Sequence, residues 1–464
     1  MTSTASISHT FFDIPKTVAD LRGVYDSERT RPVEWRRSQL RALERMMREN
    51  EAAITDAVAA DLGRPRSDVY ITDIAPVVAE ASFAYKRVHR WMRTRYTGLP
   101  ASAMPGIARY VYEPLGVVLV IGPWNYPFYL TVGPLVAALA AGNCVAIKPS
   151  EHAPRSSRLL VELVGKYLDN DAVTVVEGGP DVTQELIDEG VDHVFFTGGT
   201  EVGRLIMQAA ARHLTPVTLE LGGKSPVVVM PDADLEVAAR RIAWMKFINS
   251  GQTCVAPDYV LAHREVRDAL VERIIETIPK FRQGEPSDLK IVNSRQFERL
   301  RGALEASGGT VVCGGRADAD RVRMEPTVVL DPERDSPLMT DEIFGPILPV
   351  CTIDDLDGAI RHIKRGPKPL AMSMFGGSAR DRRRIERSTS SGGIVFNHVA
   401  MHCLVPQLPF GGVGASGIGS YHGKWGFEQL SHRKALLHKP TWPDPAIMYP
   451  PYTDKKLALF RRFL

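Results

Sequence analysis

From Pro114 to Ile147 the chain carries no charged residue. On length alone such a stretch could span a bilayer, but its interior argues otherwise. Pro123, Asn125, Pro127, Pro134, Gly142 and Asn143 interrupt it, and a bare loop at membrane depth would leave backbone N–H and C=O groups unpaired. The pieces read instead as a strand Leu115 to Ile121, a loop Pro123 to Pro127, a helix Phe128 to Ala140, a Gly142-Asn143 turn and a strand Val145 to Lys148. A buried strand-loop-helix-strand unit needs further layers to cover it, which predicts an α/β protein.

The alternation continues. A helix is expected at Arg155 to Tyr167, a strand at Val173 to Val176, a helix at Thr183 to Asp188, a strand at His193 to Phe196, a helix at Glu201 to His213 and a strand at Val217 to Leu221. This is the pattern of a doubly wound parallel sheet, whose ligands sit at the carboxyl ends of its strands. Before it, Trp35 to about Thr94 shows apolar residues at helical spacings, among them Leu40, Leu43, Met46 and Met47. After it, Ser225 to about Val395 forms a second alternating series. The tail from Trp425 onward predicts a strand or arm laid over something else. At 464 residues, two or three packed units are expected.

Charge adds little attraction to nucleic acid or acidic lipid, since 57 basic residues against 54 acidic ones leave only +3. The basic-aromatic run Tyr85 to Tyr96 and the run Arg380 to Arg387 therefore read as solvated helix faces. Five scattered cysteines with no Cys-x-x-Cys spacing oppose a disulfide framework or zinc site and predict a reducing, cytoplasmic setting. Met1 to Lys16 shows no signal-peptide pattern. No His-Glu-x-x-His motif supports a metal hydrolase, and no metal is expected.

Several islands carry candidate chemistry. Thr197-Gly198-Gly199-Thr200-Glu201-Val202-Gly203 lies at a strand-to-helix turn, where a pyrophosphate could approach N–H groups at a helix start, although tight-turn glycines give the same pattern. Lys148-Pro149-Ser150-Glu151 puts a cation and a carboxylate at a strand's carboxyl end, for ribose or phosphate or as an exposed ion pair. Glu220 stands inside an apolar strand, where burial would raise its proton affinity and suit a general base, or where a buried cation would pair it. Cys254 follows a polar, glycine-containing turn that could expose its sulfur and lower its proton affinity, or it is a small buried apolar group. Asp341 to Pro346 and Leu408 to Gly417 read as shaped loops.

Taken in order, Gly122-Pro123-Trp124-Asn125-Tyr126-Pro127, Lys148-Pro149-Ser150-Glu151, Phe196 to Thr200, Glu220 to Lys224, Gly251-Gln252-Thr253-Cys254, Glu342-Ile343-Phe344-Gly345-Pro346 and Pro409-Phe410-Gly411-Gly412 resemble the aldehyde dehydrogenase superfamily. Cys254 to Tyr259, Ile291 to Arg295 and Gly419 to Gly423 are similar to its class 3 branch of fatty and aromatic aldehyde dehydrogenases. The resemblance implies a Rossmann-like NAD(P)-binding domain (1–91 and 113–220), an α/β catalytic domain (221–410) and an oligomerisation arm with tail (92–112 and 411–464) that makes a homodimer.

It also implies residue roles. Cys254 would be the nucleophile, Glu220 the base that activates water, and Asn125 an oxyanion donor with the Cys254 N–H. Trp124, Lys148, Glu151, Gly198, Gly199, Thr200, Gly203, Leu221, Glu342 and Phe344 would hold the cofactor, with Tyr126 and His402 along the substrate tunnel. Glu151 at the ribose would favour NAD, with NADP possible. Ser250 and His398 depart from the usual class 3 residues, a second cysteine and an aspartate, at positions that tune rather than carry the mechanism. Two rival readings remain: a CoA-acylating relative and a catalytically idle homologue. The segment Lys455 to Leu464 is too short to span a membrane.

Overall fold

The computed structural model describes residues 13–281 and 288–463; the outer ends of the first and last expected segments, residues 1–12 and 464, lie outside the described residues. A layer of helices comes first: Ile14–Asp26, Val33–Glu49, Glu51–Leu62 and Ala75–Trp91. Leu40, Leu43, Met46 and Met47 are buried, so the apolar spacing marks the inward face. The helical pattern expected to run to Thr94 stops at Trp91, because Arg95–Thr97 pairs as a strand with Thr97 opposite Ala108. Five residues, Tyr70–Ile74, form a π turn directly before the last of these helices.

The charge-free segment is the centre of a six-stranded sheet. Its strands run in the order Gly417–Ile418, Val217–Glu220, His193–Thr197, Val117–Ile121, Cys144–Lys148 and Val173–Val175. All are parallel except the short Gly417–Ile418 edge. The helix Tyr129–Ala141 is buried along its whole length despite Pro134, which explains the missing charges. Asn143, which breaks the apolar run, is wholly consumed: its Oδ1 accepts from the Leu115 and Gly116 N–H groups and its Nδ2 donates to the Leu430 carbonyl.

The second alternating series builds a seven-stranded sheet in the order Thr310–Cys313, Thr327–Leu330, Ile347–Ile353, Tyr259–His263, Pro226–Val229, Ala371–Phe375, Gly393–Phe396. Only its Thr310–Cys313 edge is antiparallel. A third, antiparallel ribbon joins Arg95–Thr97, Ile107–Pro114 and Ser431–His438.

The tail departs from the expected arm in two places. Gly417–Ile418 and the helix Gly423–Gln429 belong to the first unit, where Phe427 is buried against Trp91. Beyond the ribbon, Asp454–Phe463 is a helix rather than a strand, since its apolar residues recur at helical spacing among lysines and arginines. Among the described residues, no helix is long and apolar enough to cross a membrane.

Candidate active site

The helix Leu235–Phe247 ends in a tight turn, Ile248–Gly251, in which Asn249 and Ser250 take φ of 48° and 53°. Gly251 follows at φ 72°, and a Cβ there would overlap the Gly345 carbonyl, so only glycine fits. Gln252 locks the turn: its Nε2 donates to the Asn249 and Lys290 carbonyls at 3.0 and 3.1 Å, and its Oε1 accepts from the Val292 N–H at 2.9 Å. Cys254 therefore emerges, half-buried, from a loop locked by hydrogen bonds. The expectation of a lowered proton affinity is corrected. Burial, then the charges of Glu342, Cys403 and Glu220, push the thiol well above its ordinary value in the cofactor-free chain.

Asn125 faces the same turn, its Nδ2 donating to the Gln252 carbonyl at 3.0 Å while its own carbonyl accepts from Asn249 Nδ2 at 2.9 Å. One amide hydrogen is thus used for orientation and the other is left to meet a ligand. Tyr126, expected along a tunnel wall, is buried with its hydroxyl 2.6 Å from Thr253 Oγ1. It braces the residue next to Cys254. His402 sits in the short turn Met401–Leu404, against the Phe410 ring, and burial pushes it down to about 4, leaving it neutral at pH 7.

Glu220 ends its strand with both carboxyl oxygens buried and unpartnered. Among the described residues no cation pairs it, and burial alone raises its proton affinity well above the ordinary value. Gly411, from the glycine-rich loop, comes so close that a Cβ there would lie 3.1 Å from Glu220 Oε1.

The cofactor candidates gather at the carboxyl ends of the first sheet's strands. Lys148 is buried rather than exposed, its Nζ 3.2 Å from Glu151 Oε2 and 3.0 Å from the Gly178 carbonyl. Gly199 is the N-cap of the helix Thr200–Ala211 and has open space where a side chain would be. Gly198 donates its N–H to the Glu220 carbonyl, Gly203 packs beneath Leu221, and the Thr200 hydroxyl bonds the Ala415 carbonyl. The Glu342 carboxyl lies over Gly222, and burial pushes it up to about 8. Trp124 and Phe344 meet edge to face at 5.5 Å.

An open helix start for a pyrophosphate, a lysine and carboxylate at a strand end, and a second carboxyl over a glycine fit a dinucleotide. Among the described residues no cluster suits a metal ion.

Sequence inspection missed the supports. Arg64, 1% exposed, binds Asp68, Asp73 and the Asn125 carbonyl. Lys224 pairs with Asp258 at 2.5 Å, and Asp258 in turn accepts the Ile343 N–H beside Glu342. Lys246 is fully buried with an unpartnered Nζ. Scattered charges in amphipathic stretches give no such signal.

A family model described as the aldehyde dehydrogenase family matches residues 9–436. The chain belongs to that family, oxidoreductases that act on aldehydes. Within it, the similarity is to class 3. Aldehyde dehydrogenase family 3 member A2 of Mus musculus is 42% identical over 455 residues, 97% of this chain and 94% of that one. A "dimeric NADP-preferring" aldehyde dehydrogenase of Rattus norvegicus is 43% identical over 449 residues, covering 95% and 98%. The substrate-bound structure of Staphylococcus aureus AldH superposes with a TM-score of 0.93 at 38% identity, covering 98% and 100% of the two chains.

Proposed function

We propose that this enzyme oxidises medium- or long-chain aliphatic or aromatic aldehydes to carboxylic acids with water as acyl acceptor, using Cys254, Glu220 and Asn125. Cys254 attacks the carbonyl carbon as the thiolate, its proton having passed to solvent. The resulting oxyanion is met by the free Asn125 amide hydrogen and the Cys254 N–H, donors worth about 3–4 kcal/mol each where they act on a transition state. Bound nicotinamide supplies the hydride acceptor. The thioester left on Cys254 is released by water from which ionised Glu220 takes a proton, which it returns to the departing Cys254 sulfur.

The observation that carries this reading is Glu220: a carboxyl group buried without hydrogen bonds is costly to keep and suited to taking up a proton. It also favours hydrolysis over transfer to CoA, and the presence of all three reactive residues opposes an idle homologue. Lys148, Glu151, Glu342, the Gly198 to Gly203 turn, Thr200, Trp124, Leu221 and Phe344 are assigned to the cofactor. The negative charge of Glu151 favours NAD over a 2′-phosphate.

The two sheets are assigned to cofactor and catalytic domains. The ribbon is assigned to homodimer assembly, in line with a relative named as dimeric. A cytoplasmic setting agrees with five unpaired cysteines.

Product analysis with hexanal and benzaldehyde, with and without CoA, tests the reading: carboxylic acid and NADH are expected without CoA, and a strict CoA requirement would overturn it. Cys254→Ala should abolish NADH formation while leaving NAD affinity unchanged; retained turnover would remove the nucleophile assignment.

A further inference from the structure

We propose that Arg64 is a positioning residue that aligns the oxyanion donor, by clamping the Asn125–Tyr126 loop onto the turn that carries Cys254. This rests on the roles proposed for Asn125 and Cys254. Arg64 lies between the helix Glu51–Leu62 and the short turn Arg66–Val69, outside the site itself. Its guanidinium touches both halves of the loop. Nη1 donates to the Asn125 carbonyl at 3.2 Å and to Asp73 Oδ2 at 2.6 Å, and the guanidinium carbon sits 4.5 Å from the centre of the Tyr126 ring. Nε and Nη2 reach the two Asp68 oxygens at 3.3 Å, and Nη2 also meets the Thr72 hydroxyl.

The clamp extends in two directions. Asp73 Oδ1 accepts the N–H groups of Phe128 and Tyr129, both at 3.1 Å, where the loop becomes a helix. Beyond the ring, the Tyr126 hydroxyl bonds Thr253, the neighbour of Cys254. One guanidinium thus fixes the loop's carbonyl, its aromatic ring and, through Asp73, its exit. Thr72 and Asp73 sit on the π turn Tyr70–Ile74, an irregularity often retained where a helix must aim side chains at a functional feature.

A lysine could carry the charge between Asp68 and Asp73. It could not supply a planar fork and a stacked face at once. The orientation of Asn125 therefore depends on the shape of the guanidinium, and an error of about 1 Å in such placement costs on the order of 100-fold in rate.

The test uses the full chain with Arg64→Lys, Arg64→Gln, Asn125→Ala and the Arg64→Lys/Asn125→Ala double variant. NADH formed in the first turnover with hexanal, kcat, KM, NAD affinity and thermal unfolding are measured. Arg64→Lys keeps the buried charge and is the decisive variant if Arg64→Gln does not fold.

Arg64→Lys is expected to slow the first turnover by about 10- to 100-fold, with NAD affinity and KM changed by less than about threefold. Asn125→Ala alone should slow it by about 100-fold or more. Adding Arg64→Lys to Asn125→Ala should cost less than about twofold further, because a residue acting through Asn125 loses its effect when the amide is gone. An unchanged first turnover in Arg64→Lys overturns the proposal, as does a full penalty persisting in the double variant. An unchanged rate in Asn125→Ala overturns the reading of Asn125 on which the proposal stands.

Discussion

Two carboxyls of the candidate site, buried Glu220 and half-buried Glu342, make its behaviour dependent on pH in ways that can be separated. Glu342 is pushed up to about 8 by burial, then by Asp258. In the cofactor role proposed for Glu342, the ionised carboxylate is the form suited to accept both ribose hydroxyl hydrogens. NAD affinity of the free enzyme should therefore rise as pH increases through about 8, and Glu342→Gln should flatten that rise; titrations of NAD between pH 6 and 9 check both.

Glu220 acts on the fold itself. The folded chain keeps a proton that the unfolded chain releases above the ordinary value of 4.5, so stability falls as pH rises from there toward the folded-state value. Glu220→Gln should remove this loss and unfold at a higher temperature than the parent at pH 8, with the gap closing near pH 4. If Glu220 is the base proposed above for release of the acid, the same variant should show a burst of NADH followed by slow turnover.

At this scale the sequence exposed Glu220, as a charge inside an apolar strand, and Cys254, through its turn and family resemblance. Arg64 was invisible, because its partners Asp73 and Asn125 lie 9 and 61 positions away and nothing in the local pattern joins them.

The strands and helices around the cofactor region follow the sequence closely because their signal is local. The helix predicted at Arg155 to Tyr167 is Pro154–Tyr167, and the strand predicted at His193 to Phe196 is His193–Thr197. What local pattern does not carry is departure from regular geometry: the π turn at Tyr70–Ile74, the left-handed residues before Cys254, and the capture of Gly417–Ile418 by the first sheet depend on partners distant in the chain.

The His193–Thr197 strand also carries a testable liability. His193 is buried with Nε2 on the Thr218 hydroxyl at 2.9 Å, and burial holds it neutral down to about 4. The unfolded chain takes up a proton below 6.5 that the folded chain refuses until about 4, so stability is lost across that window, by roughly 3 kcal/mol at its lower end. Urea unfolding at pH 7.0 and 4.5 should show it, and the difference should shrink in His193→Gln.

The molecule as a whole leaves a three-stranded ribbon projecting apolar residues into solvent. Tyr96, Ile107 and Leu437 are 70%, 53% and 55% exposed, and the outer strands Arg95–Thr97 and Ser431–His438 each have one unpaired edge. Free edges flanked by apolar side chains invite pairing with another chain. Light scattering should give twice the 51.2 kDa chain mass, and Leu437→Asp with Tyr96→Asp should shift it toward the monomer while the melting of the two main sheets persists. A monomeric parent would remove the assembly proposal.

Glu220 lies opposite Thr197 in one neighbouring strand and Gly417 in the other, and its carbonyl is held by the Gly198 N–H. With the main chain tethered on both flanks, the carboxyl can change direction only by rotation about its own single bonds, a picosecond-to-nanosecond motion where space allows. In the role proposed for Glu220, turning toward the attacking water needs no hinge at this residue, and mutations that loosen distant loops should leave its timing untouched.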